Sequence, residues 1–315
     1  MESTLTFRGA REQEHALTPV PHSQWYYAWL RLRRNYAAMA GFIVIVLFYL
    51  VAILAPLLAP HDPLKQHYAS TLQPGVWATG DWQFVLGTDE LGRDVLSRVL
   101  YGARVSMTIG LVPITITLIL GGTIGMIAGV SRGTTDDLLM RLADVMYAFP
   151  QLLWLILVTV TFRESWIARQ MSGLLLLFIA IAFTGWEGMA RLVRGQVLQV
   201  GEKEYIVAAR MIGVNRLRLM THHVLPNILA PVIVAVAFSV PGAIMGEAGL
   251  SFLGLGITPP MPSWGSMINE GQPLLFAQPA LMFAPAVCLA LLMLACAALG
   301  DGLRDALDPQ TRLAQ

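Results

Sequence analysis

The side chains that could carry chemistry are few, and their spacing fits none of the common reactions. A phosphate-binding loop needs Gly-x4-Gly-Lys-Ser/Thr, so that backbone amides cradle phosphate and the lysine neutralises it. The lysines are Lys65 and Lys203, and neither follows a glycine. The histidines, at 15, 22, 61, 67, 222 and 223, show no His-Glu-x-x-His spacing for a zinc hydrolase. The adjacent His222 and His223 point to different helix faces and suit a basic membrane border. Gly249-Leu250-Ser251-Phe252-Leu253 lacks the second glycine of a nucleophile elbow. Cys288 and Cys296 share one apolar block. On a continuous helix they stand roughly 12 Å apart, too far for a disulfide. We therefore read no catalytic constellation, no metal site and no enzyme. What remains is charge in apolar surroundings, where a carboxylate is a functional candidate by default. Asp144 lies three residues after Arg141, and Glu187 four before Arg191, spacings that allow pairs on one helix face. Glu247 has no such partner and is the leading candidate for a gate or ligand contact.

The elements that must position these groups are membrane spans. Of the 315 residues 56% are hydrophobic and 13% charged, against about a quarter charged in soluble domains. The net charge of +1 offers no basic footprint for nucleic acid. Charge is absent from residues 35–60, 105–131, 145–162, 170–186, 224–246 and 271–300. Each block reaches or approaches the ~20 residues that cross a bilayer. The spacing predicts an all-α polytopic membrane protein with six spans, at about 39–59, 105–130, 143–162, 170–190, 225–246 and 277–300. Residues 248–269 are also uncharged but hold Pro259, Pro260 and Pro262, which break helices. They are expected to form an apolar or re-entrant loop against protein. Residues 1–24 lack the apolar core of a signal peptide and read as an uncleaved tail. With the N-terminus inside, cytoplasmic segments hold 15 Lys and Arg against 6 outside, which puts both ends in the cytoplasm. Residues 1–38 then form the tail and an interfacial elbow helix, with Trp25, Tyr26, Tyr27 and Trp29 beside Arg31, Arg33 and Arg34. Residues 39–315 form the transmembrane domain. The elbow could equally extend span one.

One cytoplasmic loop, 191–227, is too long for a tight connection. Tyr205, Ala208, Ala209 and Ile212 recur at helical spacing and make a small apolar face. Glu202 and Glu204 fall in the expected first turn, and Gly213 sits where a helix stops. By spacing alone, that face could dock in another protein or pack on the chain's own helices. The stretch from Glu204 through Tyr205, Ala208, Ala209, Arg210, Ile212 and Gly213 to Leu225 and Pro226 resembles the "EAA" loop of ABC importer permeases. Ala208, Ala209, Gly213, Leu225 and Pro226 match that pattern at its spacing. Val207 stands where the family has an acid, and His223 is usual in the peptide-transporter branch.

A second stretch narrows the resemblance. Gly87-Thr88-Asp89-Glu90-Leu91-Gly92-Arg93-Asp94-Val95-Leu96-Ser97-Arg98 is followed by Tyr101-Gly102-Ala103-Arg104, and Val95, Leu96, Val99 and Leu100 lead helically into the membrane. Arg93, flanked by Asp89 and Asp94, reads as a self-paired, glycine-bracketed loop; its oxygen spacing does not fit a calcium-binding EF-hand. The run resembles the hallmark ahead of span two in the C-type permease subunit of dipeptide, oligopeptide and nickel importers. Residues 251–265 and Trp186 with Arg191 and Arg194 resemble it too, so matching segments cover nearly the whole chain. The resemblance implies a type I ABC importer permease fold in a prokaryotic plasma membrane. It implies half of a translocation pore for peptides or related small solutes. The implied partners are a second homologous permease, two ATPase subunits, an extracytoplasmic solute-binding protein and membrane lipid. ATP and Mg²⁺ would be bound by the ATPases, with no cofactor on this chain. One rival is an ion-gradient-driven secondary transporter, which predicts midspan carboxylates and inverted repeats. Another is an intramembrane hydrolase, which predicts a nucleophile and base within the spans. The spans carry neither pattern.

Overall fold

The computed structural model describes residues 24–131 and 133–308. Residues 1–23 of the expected tail 1–24, Arg132 and Arg312 lie outside the described residues. Among the described residues all regular structure is helical, apart from one β-bridge between Thr88 and Asp94. Five helices are long and apolar enough to cross a membrane, six if one bent pair counts as a single span.

Helix α1 (Gln24–Arg34) is separate from the first span and does not extend it. Its Ala28 and Leu32 are buried, while Trp25, Tyr26 and Trp29 are exposed. Helix α2 (Tyr36–Leu58) begins where the Asn35 side chain accepts from the Ala38 amide at 3.1 Å. Helix α3 (Val95–Ser131) is about 55 Å long at 1.5 Å per residue. It starts ten residues before the expected span at 105, because Asp94 caps it there.

Helices α4 (Thr134–Tyr147) and α5 (Gln151–Thr161) share the third expected span, 143–162, and meet at 82°. Pro150, which lacks an N–H, caps α5 at the break. The fourth crossing is the stretch Trp166–Gly201, which holds α6 (Leu174–Phe183) and α7 (Trp186–Gly201). Residues 191–201, expected in the cytoplasmic loop, are therefore helical. Their Val193, Val197 and Val200 are buried at helical spacing. The short helix α8 (Glu204–Met211) follows. Helix α9 (Leu225–Phe252) runs past the expected end at 246, and the loop expected over 248–269 shrinks accordingly. Pro259, Pro260 and Pro262 do fall in the non-helical piece, which ends at helix α10 (Trp264–Gly271). Helix α11 (Ala280–Leu307) completes the bundle.

The tightest packing joins α3 to α7. Gly121, Gly125 and Gly129 recur every fourth residue, and α7 lies directly on them. A Cβ at Gly125 would stand 2.3 Å from the Ala190 carbonyl oxygen. Backbone cannot rotate away, so Gly125→Leu is expected to drive the helices apart, costing about 1–3 kcal/mol or more. A Cβ at Gly122 meets open space, so Gly122→Leu, which adds the same side chain, is the matched control. Membrane abundance and thermal stability in detergent check the pair: loss for the first variant, little change for the second.

Candidate functional site

Helix α8 begins at Glu204 with Lys203 as its N-cap; Glu202 caps the end of α7 and is not in the first turn. Ile206 is fully buried among Val200, Leu219, Val224 and Ile228. Ala209 and Val214 pack on the same cluster. Ala209 therefore belongs to the inward side of the helix, not to the centre of the expected outward face. The outward side presents Tyr205, Ala208, Met211 and Ile212, with Leu217 beyond the turn. Met211 and Ile212 are more than 80% exposed, large apolar surface on the end of a helix pinned from behind. Arg210 is exposed beside them. Gly213 adopts φ +81°, a left-handed conformation costly for any residue with a Cβ. Its amide donates to the Arg210 carbonyl at 3.0 Å, and the Val214 amide to that of Ala209 at 3.1 Å. This is a Schellman stop with its apolar C″–C3 contact. Leu225 and Pro226 open α9, which continues the helix begun at Arg216 through a π-turn over Met220–Val224.

The glycine-bracketed loop is more closely bonded than its sequence suggests. Asp89 is buried, and its Oδ1 accepts from the amides of Leu91 at 2.9 Å and Arg93 at 2.8 Å. Its Oδ2 takes Arg93 Nε at 2.6 Å and also the guanidinium of Arg98. Arg98 is itself buried, and its Nη2 reaches Glu270 Oε2 of α10 at 2.9 Å. Arg93 Nη2 lies 3.6 Å from the same oxygen. Asp94, expected from sequence to pair with Arg93, does not. It caps α3, accepting from the Ser97 amide at 2.9 Å and the Ser97 hydroxyl at 2.5 Å, with His61 Nδ1 at 3.6 Å. Thr88 accepts from the Gln73 amide at 2.9 Å, and the Gln278 side chain donates to the Gln73 carbonyl at 2.8 Å. Gly87 accepts from the Val95 amide at 3.0 Å. Gly92, at φ +71°, lets its backbone lie against His67. These carboxylates are engaged by amides, a hydroxyl and guanidinia, an arrangement built for rigidity. Ser97 and Arg98 stood in the recognised run without an assigned bond, and Glu270 and Gln278 were not legible as members.

Glu247 lies inside α9, not at its end, and is fully buried. Its Oε1 accepts from the Ser251 hydroxyl at 2.6 Å, whose oxygen is 3.4 Å from that of Ser263, the N-cap of α10. In this conformation it has no surface to offer a cargo; it joins α9 to the start of α10. The pair expected between Glu187 and Arg191 is replaced. Arg191 lies over the Tyr147 ring at 4.1 Å and reaches Asp144 at 3.9 Å. Arg194 instead makes a two-point pair with Asp136, at 2.5 and 2.7 Å, tying α7 to α4.

Comparison with known proteins gives a consistent result. Residues 121–313 match the family described as "Binding-protein-dependent transport system inner membrane component". Residues 23–74 match the "N-terminal TM domain of oligopeptide transport permease C". The chain is 41% identical over 290 residues to the oligopeptide transport system permease protein OppC of Bacillus subtilis (strain 168), covering 92% of this chain and 91% of that one. It is 41% identical to the dipeptide transport system permease protein DppC of the same organism, covering 90% and 85%. It is 35% identical to the glutathione transport system permease protein GsiD of Pectobacterium atrosepticum, covering 91% and 92%. In fold it is similar to a chain of the inward-facing MetNI methionine ABC transporter, with TM-score 0.56 and 16% identity over 68% of this chain and 97% of that one.

Proposed function

The chain belongs to the family of binding-protein-dependent transport system inner membrane components, as a non-catalytic ABC importer permease, and we propose that it carries di- or oligopeptides, or a peptide such as glutathione. It forms half of a pore with a second, homologous permease. Two ATPase subunits bind ATP and Mg²⁺, and a solute-binding protein delivers cargo to the outer face. One observation carries the coupling role. Helix α8 is locked from behind by Ile206 and Ala209 and stopped by Gly213, while Tyr205, Ala208, Met211 and Ile212 stand uncovered. A helix held so rigidly can pass on the motion of whatever seats on its open side. Tyr205, Ala208 and Ile212 form the ATPase contact; Glu204, Arg210, Leu225 and Pro226 border it. Residues 87–94 brace the outer face, and Glu247 ties the last turns of α9 to the start of α10. Both termini and the α7–α9 connection face the cytoplasm, whereas residues 59–94 and 253–271 face outward.

Topology is tested with single cysteines at exposed Thr79 and Asn215, in a chain whose Cys288 and Cys296 are replaced by Ala. An impermeant thiol reagent should label position 79 in intact cells and position 215 only after permeabilisation. Labelling at 215 in intact cells overturns the arrangement. The native complex should also bring down an ATPase and a second permease, which an ion-driven carrier would not.

A further inference from the structure

Helix α10 packs its buried Met267 with Val95 and Val99 of α3, and makes two polar contacts to that helix. The Trp264 indole N–H donates to the Val99 carbonyl at 3.0 Å, with Gly102 leaving room for the ring. At the other end, Glu270 receives Arg98. These two contacts differ in kind. Trp264 is fully buried, whereas the Glu270 side chain is 41% exposed. Within the charged network, Asp89, Arg93 and Arg98 are all nearly closed off from solvent. Glu270 is therefore its one solvent-open member among the described residues, and it alone comes from another helix.

An alternating pore must let its outer elements shift against each other. A contact that yields is better made from a half-exposed ion pair, which water can replace, than from a buried one. The Asp89–Arg98 contact keeps Arg98 compensated while Glu270 is away, so the network tolerates opening at that point alone. At its other end α10 starts from Ser263, beside Ser251 and Glu247 of α9. A shift of α10 therefore bears on α9, whose cytoplasmic start follows the α8 connection.

We propose that Glu270 is a positioning residue, the releasable half of a clasp with Arg98 that holds α10 on α3 and keeps the outer side of the permease closed at rest. This rests on the importer reading and on the topology given above. Release of the clasp lets α10 and the adjoining end of α9 move, an opening that cargo-loaded binding protein triggers in the intact complex. Glu270 touches neither cargo nor nucleotide.

The test uses the assembled complex, purified with its own ATPases from cells expressing Glu270→Gln, Glu270→Asp or the wild type. ATP turnover is measured with and without cargo-loaded binding protein, together with membrane abundance. Glu270→Gln should raise turnover without binding protein several-fold, and so shrink the stimulation that binding protein gives. Glu270→Asp, which keeps the charge, should restore most of that stimulation. Unchanged basal turnover in Glu270→Gln at normal abundance overturns the clasp. Loss of abundance in both variants also overturns it, since that marks a residue needed only for folding. Failure of the wild type to retain any ATPase would instead count against the importer assembly.

Discussion

Asp89→Asn is expected to remove most of the folded chain from the membrane, while Asp94→Asn leaves it nearly intact. In sequence the two aspartates flank Arg93 alike. In the structure they do different work. Asp89 is the shared counter-charge of Arg93 and Arg98, and the latter is buried. An asparagine there still accepts from the amides of Leu91 and Arg93. It leaves two guanidinia, however, with only half-exposed Glu270 to answer them. Breaking a buried pair from one side costs about 3–5 kcal/mol. Asp94 is a helix cap whose carboxylate accepts from the amide and hydroxyl of Ser97. Asparagine caps about as well as aspartate, so that substitution costs a fraction of the ~1 kcal/mol a cap contributes. Membrane abundance and thermal inactivation in detergent should separate the two variants clearly. Equal loss from both would mean that the network does not depend on which carboxylate faces Arg98.

What could be read from sequence follows from the range of each signal. Spans are announced by contiguous apolar residues, and their absence of charge is local. Helix ends depend on particular partners. Helix α3 starts at 95 because Asp94 caps it, although Arg98 and Arg104 on its first turns are unlike a lipid-facing run. Helix α7 continues to Gly201 because α3 offers it a glycine row, a fact written about seventy residues upstream. The bend between α4 and α5 falls at Pro150, inside a block that its lack of charge made read as one span, since apolar composition states no angle. At the outer loop, Asp89, Arg93 and their glycines were legible because they are neighbours. Glu270 was not, since it stands 172 residues from Arg98 and carries no periodicity of its own. At α8 the helix and its Gly213 stop were legible, but the spacing placed Ala208 and Ala209 on one face. It could not say which of them meets the chain's own core, because that depends on where Val200, Leu219 and Ile228 come from.

That last ambiguity sets up the sharpest coupling test, a comparison between neighbours. Ala208→Asp is expected to leave the chain folded and inserted while cutting cargo uptake at least tenfold. Ala208 is exposed on the open side of α8, and surface substitutions of this kind usually shift stability by no more than about 0.5 kcal/mol. On the coupling role proposed for α8, that side meets an apolar groove in the assembled importer. A carboxylate buried there without a partner costs about 1–3 kcal/mol or more. At 1.4 kcal/mol per tenfold, that weakens docking by roughly one to two orders of magnitude. Ala209→Asp should fail differently. Its carboxylate would enter the cluster around Ile206 and Val214, within the chain itself. The isolated subunit should then lose abundance and thermal stability before any partner is involved. Three measurements on both variants distinguish the cases: membrane abundance, ATPase retained on purification, and uptake. Normal uptake and retained ATPase in Ala208→Asp would remove the open side of α8 from the contact. Equal loss of abundance in both variants would mean that α8 is covered on both sides by its own chain. The expected result is a split, with Ala208→Asp abundant but uncoupled and Ala209→Asp scarce, because adjacent residues on a helix point about 100° apart.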